Sequence, residues 1–417
     1  MKPGLAVVNC AQLVTVAGPA HPRTGGEMRD LGIIENGALL VRDGRIEAVG
    51  SRDEIESRLA ADDTVLDAEG RVALPGFVDA HTHPVFAGTR CAEFELRSQG
   101  ATYEEIAAAG GGILDTVRQT RRASEDQLFE AALRHQQWFL RNGATTMEAK
   151  SGYGLTVDDE LKILRVIRRL NAHGPIRWVP TFLGAHTVPE EFRANRGAYV
   201  ELVCERMLPA VAAGHLARYC DAFCEPSAFS IEETRTVLTR AASLGLGLRL
   251  HADQLTCSGA AGLAASLGAA TADHLEQTSD AGIAELRAAG VQPVLLPASV
   301  YALGRTRYPR ARDMIDAGLA IVLATDFNPG SSPTPSMTMV LSLACTQMRL
   351  TPAEAITAAT INPAWSVGLG HETGSLEAGK RADVLLADCA DYREIPYFFG
   401  VEHAWVVLAG GEVAFRR

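Results

Sequence analysis

Two histidines one residue apart, His81 and His83, follow the apolar run Gly76-Phe77-Val78-Asp79-Ala80 and precede Pro84. Alternate side chains of an extended chain share a face, so both imidazoles can turn toward one cation. A lone His-x-His also arises by accident, and its weight depends on distant residues. Further along, apolar strand-like segments end at His186, His251, His274 and Asp326. His81, His83, His251 and Asp326 together offer three imidazoles and one carboxylate, a ligand set for a divalent cation that leaves room for water. A cation held there activates water for hydrolysis, and Asp326 beside it can accept the proton and pass it to a leaving nitrogen. His274 reads as a group that polarises a carbonyl or orients the water, or as one that only holds the site's geometry.

These residues need a scaffold that brings many strand ends together. Between residues 72 and 364, short apolar strands alternate with amphipathic helices, the texture of a parallel sheet with right-handed crossovers. Strands are expected near 72–80, 143–149, 176–184, 219–224, 246–251, 269–273, 291–296 and 319–325. Helical stretches fall at 103–109, 124–141, 158–172, 198–213, 231–243, 258–267, 279–289 and 309–316, and two more follow the eighth strand at 335–349 and 352–360. The last opens Thr351-Pro352-Ala353-Glu354, a well-specified helix start. Eight such units fit a (β/α)8 TIM barrel better than a doubly wound sheet, because no glycine-rich phosphate loop follows the first strand. The glycines at 110–112 follow a helix. In a barrel, chemistry collects at the C-terminal strand ends, and five of the eleven histidines fall there.

The segments 1–71 and 365–417 have another character, rich in Val, Ile and Leu and punctuated by turns. Asp43-Gly44 between two apolar runs predicts a tight hairpin. Neither end has enough strands to bury a sheet alone, so the two are expected to pair into one small composite β-sandwich domain beside the barrel.

With 417 residues, 47% hydrophobic and 21% charged, the chain has the composition of a globular protein. A formal charge of -11 argues against a broad nucleic-acid or anionic-membrane surface. No apolar run is long enough to span a bilayer, and no export signal is evident at the N-terminus. Eight scattered cysteines without a C-x-x-C pair suit a reducing, cytoplasmic setting.

The H-x-H on strand 1, histidines on strands 5 and 6, an aspartate on strand 8 and the composite β domain resemble the amidohydrolase superfamily, and the resemblance covers nearly the whole chain. Within it, Asp79-Ala80-His81-Thr82-His83-Pro84-Val85-Phe86-Ala87-Gly88-Thr89-Arg90, Lys150-Ser151-Gly152-Tyr153-Gly154-Leu155, Phe182-Leu183-Gly184-Ala185-His186 and Thr325-Asp326-Phe327-Asn328-Pro329-Gly330-Ser331 are similar to the imidazolonepropionase family. That resemblance implies a metal-dependent hydrolase that opens 4-imidazolone-5-propanoate to N-formimidoyl-L-glutamate in histidine degradation, with one zinc or iron ion, as a homodimer. Relatives with two metals typically use a carboxylated lysine on strand 4, whereas Cys220-Asp221-Ala222-Phe223-Cys224-Glu225 has none. Lys150, at the end of strand 2, reads as a salt-bridging or packing residue. Deaminase relatives usually carry a glutamate three residues after the strand 5 histidine; here it is Gln254, which can hydrogen-bond a ring but is no general base.

The implied substrate assigns further roles. Its propanoate tail asks for a fixed cation, and Arg90 fits because guanidinium pairs with carboxylate in a bidentate way. Tyr153 can stack and donate, Tyr103 is a weaker candidate of the same kind, and His186 and Gln254 could contact the imidazolone ring. In the family pattern Asn328, Gly330 and Ser331 line the side of the product's new carboxylate; Gly330 equally fits a plain turn. The alternatives are another mononuclear amidohydrolase, such as a guanine- or cytosine-type deaminase, and a non-catalytic barrel scaffold.

Overall fold

Asp43 and Gly44 both take positive φ, 48° and 76°, so the hairpin they form joins strands Ile33–Arg42 and Arg45–Ser51 as expected. The computed structural model describes residues 3–101, 105 and 111–417. The hairpin belongs to an eight-stranded sheet drawn from both ends of the chain. Its order runs Glu412–Arg416, Ala404–Ala409, Val384–Ala387, Val72–Pro75, Leu5–Val14, Ile33–Arg42 and Arg45–Ser51, with Thr64–Asp67 parallel to Leu5–Val14. One face encloses Val7, Leu39, Ile46, Val384, Leu386, Val406 and Leu408, so strands from both termini share a core that neither could form alone.

The barrel consists of eight parallel strands: Phe77–Asp79, Ala144–Lys150, Arg177–Ala185, Tyr219–Cys224, Gly247–Ala252, Thr271–His274, Gln292–Leu295 and Val322–Leu323, numbered here 1 to 8. Helices cover them outside, and every residue of strand 2 is buried, as a sheet covered on both faces requires. The helical stretch expected over 198–213 is present as Arg196–Leu202, a wider π turn over Val203–Met207, and Leu208–Ala213. The wide turn leads into Pro209, whose ring would clash with a carbonyl four residues back in a regular helix. Thr351, Pro352 and Glu354 form the capping box that their order implies. The helix expected over 103–109 falls, apart from Glu105, outside the described residues. Helices Cys91–Ser98 and Ile113–Arg122 were not expected.

One expectation is corrected. The stretch 72–80 is two strands in two sheets: Val72–Pro75 pairs antiparallel with Val384–Ala387, and after Gly76 the segment Phe77–Asp79 runs parallel to strand 2. A Cβ at Gly76 would collide with the Thr145 side chain, so the chain can pass between the sheets only with glycine there.

Strand 8 is two residues long, and side chains complete the closure. Asp79 accepts from the Thr325 hydroxyl (2.6 Å) and amide (3.1 Å), the Asp326 amide donates to the His81 carbonyl (3.1 Å), and the His83 amide donates to the Phe327 carbonyl (2.8 Å). The bonds that close the barrel thus also set Asp326 beside the two histidines. No helix among the described residues is long and apolar enough to cross a membrane.

Candidate active site

Thr82, between the two histidines, is committed to strand 2. Its hydroxyl donates to the Glu148 carbonyl (2.6 Å) and its carbonyl accepts from the Lys150 amide (2.9 Å). Its neighbours therefore face the barrel mouth together. The His81 ring lies 4.5 Å from that of His251 and 5.4 Å from that of His83, and Asp326 Oδ1 is 3.6 Å from Nε2 of both His81 and His83. All four residues are at most 3% exposed. His81, His83 and Asp326 bring ligand atoms within 4.8 Å of one another, and so do His81, His251 and His274. The two groups share His81, and together they gather five side chains at the strand ends.

The backbone here is strained. Asp326, His274 and Leu275 hold φ of 54°, 80° and 70°, left-handed values that cost residues with a Cβ and persist only where the surroundings impose them.

Electrostatics prepare these side chains for a cation. Burial pushes His81 and His83 well below the ordinary histidine value and His251 down to about 4, which keeps them in the neutral form that can offer a lone pair. His274 differs. Burial alone would lower it, but the Glu276 carboxylate 3.5 Å from its Nδ1 reverses the direction, so it is the imidazole of the group that favours a proton. Burial raises Asp326 to about 6, opposed by the charge of His274.

The donor set fits a divalent cation on a second observation. His81 Nδ1 faces Asp273 Oδ2 at 2.6 Å and His251 Nδ1 faces Asp221 Oδ1 at 3.1 Å. An ionised carboxylate only accepts, so both Nδ1 atoms carry the hydrogen and both Nε2 atoms keep a free lone pair. His81 Nε2 and His83 Nδ1 are buried with no hydrogen-bond partner among the described residues.

The remaining sequence-based candidates divide by place. His186 stacks on His83 at 5.2 Å, its Nδ1 donates to the Gly152 carbonyl (3.0 Å), and the Tyr153 ring lies 5.5 Å from it and 5.9 Å from His83. Arg90 stands against Gly330, two residues past the Asn328 turn, and Ser331 Oγ is 3.5 Å from Asp326 Oδ2. The Asn328 amide is spent on its own loop. Its oxygen accepts from the amides of Gly330 (2.8 Å) and Ser331 (2.7 Å), and its nitrogen donates to the Asp326 carbonyl (2.6 Å). Gln254 follows strand 5 and lines a small cavity with Glu276. Tyr103 lies outside the described residues.

Sequence reasoning missed the carboxylates behind these groups. Asp221 and Asp273 hold two imidazoles. Glu160 accepts the amides of Gly152 (3.0 Å), Gly154 (2.8 Å) and Leu155 (2.8 Å), so it fixes the loop that carries Tyr153. Glu93 binds Arg90 through Nη2 (2.6 Å) and Nε (2.8 Å) and receives the Gly112 amide on its other oxygen (2.8 Å). A signal was present for two of them: Asp221 and Asp273 interrupt strands that otherwise read as apolar, and buried acids are rare unless paired.

The sequence matches the model of the amidohydrolase family over residues 72–411 and that of an imidazolonepropionase-like composite domain of bacteria over residues 37–59. It is 62% identical over 412 residues to the imidazolonepropionase of Solibacter usitatus, covering 99% of each chain. It is 50% identical over 405 residues to that of Symbiobacterium thermophilum, covering 96% of this chain and 95% of the other. Among solved structures, the guanine deaminase of E. coli superposes with a TM-score of 0.75 at 16% identity, covering 100% of both chains. The zinc-bound adenosine deaminase of Xanthomonas campestris gives 0.73 at 18%, covering 99% of this chain and 93% of the other. At such identities the structural likeness speaks to fold alone.

Proposed function

The chain belongs to the amidohydrolase family and, within it, to the imidazolonepropionases, and on that premise we propose that it hydrolyses 4-imidazolone-5-propanoate to N-formimidoyl-L-glutamate. The observation that carries this reading is the full-length relation at 62% identity to a curated imidazolonepropionase. Water oxygen joins the ring carbonyl carbon, the bond from that carbon to the ring nitrogen breaks, and the nitrogen leaves with a proton. One carboxylate and one formimidoyl group result.

His81, His83, His251 and Asp326 would hold a single zinc or iron ion, which supplies Lewis acidity that acidifies a water and polarises the carbonyl. The absence of a lysine from strand 4 supports one ion. Asp326 takes the proton from the attacking water and returns it to the departing nitrogen, since its carboxylate stands beside His81 and His83, where that water would be held. His274, whose hold on a proton Glu276 strengthens, stabilises the negative charge that grows on the carbonyl oxygen. Arg90 grips the propanoate tail, His186 and Tyr153 flank the ring, Gln254 hydrogen-bonds it, and Gly330 and Ser331 face the new carboxylate. Asn328 acts by shaping that loop. Tyr103 is a further contact for the substrate. Gln254 disfavours a deaminase, which would need a proton-shuttling acid at that place.

Eight unpaired cysteines support a reducing, cytoplasmic setting. The exposed run of Tyr397, Phe398, Phe399 and Val401 supports a homodimer, because it offers an apolar surface of the kind subunits cover. The activity test uses purified, metal-quantified protein and 4-imidazolone-5-propanoate. Loss of the imidazolone absorbance in proportion to metal content is expected, and an inert, fully loaded protein would overturn the reading.

A further inference from the structure

We propose that Lys150 is a positioning residue for the metal site, acting through Asp221 and Asp273, the carboxylates that orient His251 and His81. The inference rests on the metal-site reading above and deepens it. Lys150 closes strand 2 and has no exposed surface. Its Nζ lies 2.8 Å from Asp221 Oδ2, 3.0 Å from Glu148 Oε1 and 3.8 Å from Asp273 Oδ2. Each of the two aspartates faces an imidazole: Asp221 Oδ1 meets His251 Nδ1 and Asp273 Oδ2 meets His81 Nδ1. One ammonium thus spans two arms, and each arm ends on a nitrogen whose hydrogen leaves the opposite Nε2 free for a cation.

Arg249, equally buried, supports the cluster from the other side. It approaches Asp273 at 3.6 Å and Glu148 at 3.9 Å and donates to the Ala80 carbonyl at 2.7 Å, one residue before His81. Without Lys150, carboxylates from strands 2, 4 and 6 would face one another in a dry core, and removing one partner of a buried pair is strongly unfavourable for what remains. The aspartates would relieve that repulsion by turning, which takes the imidazoles with them. A lysine that only packs would not need three carboxylates within reach.

The test is metal affinity, not turnover. Apo-protein carrying Lys150→Met, Asp221→Asn or both is checked for folding by circular dichroism and thermal melting, then titrated with zinc against a chelator beside the wild type. Lys150→Met is expected to weaken zinc binding about 10- to 100-fold, the range seen when groups behind metal ligands are lost. Because both substitutions act on the same arm, the double variant is expected to fall well short of the product of the single effects. Affinity within about twofold of wild type in folded Lys150→Met, or full additivity with Asp221→Asn, would overturn the proposal. So would failure of both Lys150→Met and Lys150→Gln to fold, which would make Lys150 a folding residue only. A wild type that takes up no stoichiometric metal would instead refute the metal-site reading, and this inference with it.

Discussion

Replacing Gly330 by alanine should damage substrate binding while leaving the fold and the chemical step nearly intact. Gly330 does not hold a left-handed backbone, so a side chain is tolerated locally; the obstacle is Arg90. A Cβ at position 330 would lie 2.8 Å from Arg90 Cζ and closer still to Nη1. Carbon atoms in contact settle at about 3.5–4.0 Å, so the guanidinium must withdraw by about 1 Å. It cannot do so while keeping its place, because Glu93 holds Nε and Nη2 and is itself tied to the Gly112 amide. An ångström is enough to break a hydrogen bond to a propanoate carboxylate, and hydrogen bonds to charged groups are worth about 1.5–3 kcal/mol. KM for 4-imidazolone-5-propanoate should therefore rise about 10- to 100-fold with kcat within a few-fold of wild type. Steady-state kinetics of Gly330→Ala, Arg90→Ala and the double variant decide it. Arg90→Ala alone should raise KM, and in its background Gly330→Ala should add almost nothing. An unchanged KM in Gly330→Ala, or equal effects with and without Arg90, would refute the tail-clamp assignment.

Asp326→Ala should lower turnover by about 10²–10⁴-fold or more, since in the proposed mechanism Asp326 both carries the proton and holds the metal; near wild-type kcat would exclude Asp326 from proton transfer. Glu160→Ala strands the amides of Gly152, Gly154 and Leu155 in a buried loop and should cost about 3 kcal/mol in urea unfolding, together with a fall in kcat/KM as Tyr153 loses its support. An unchanged urea midpoint would disprove this anchoring role. Asp63 supplies the pH test. The Arg42 guanidinium, with the amides of Ala60 and Gly4, holds its carboxyl down at about 2, below its value in the unfolded chain. Its contribution is therefore complete above about pH 4–5 and is lost as pH falls toward 2. Urea midpoints of wild type and Asp63→Asn should differ most at neutral pH and converge as acid is added, and a gap that widens in acid would contradict the assignment.

The barrel was legible because its strands and helices alternate with clear turn chemistry, and because Asp43-Gly44 and Thr351-Pro352-Ala353-Glu354 announce local structure that tertiary context did not override. The histidines and Asp326 were legible for a different reason: polar groups at the ends of apolar strands have one common place to meet in a barrel. Val72-Ala73-Leu74-Pro75 misled because its apolar run continues past Gly76, and nothing within the run marks that two sheets divide it. The partners of Lys150 were out of reach. Asp221 and Asp273 lie about 70 and 120 residues away in sequence, and only closure of strands 2, 4 and 6 into one barrel brings them to a single ammonium. Asn328 could have been read more closely, since Asn-Pro-Gly-Ser favours an amide that bonds to its own turn.

The central claim is hydrolytic opening of the imidazolone ring by a water activated between His81, His83, His251 and Asp326. Turnover of 4-imidazolone-5-propanoate in water enriched with oxygen-18, followed by mass spectrometry, tests it most directly. A single heavy oxygen confined to the carboxylate of N-formimidoyl-L-glutamate that was the ring carbonyl is predicted. Release of ammonia, or a product without the label, would contradict it.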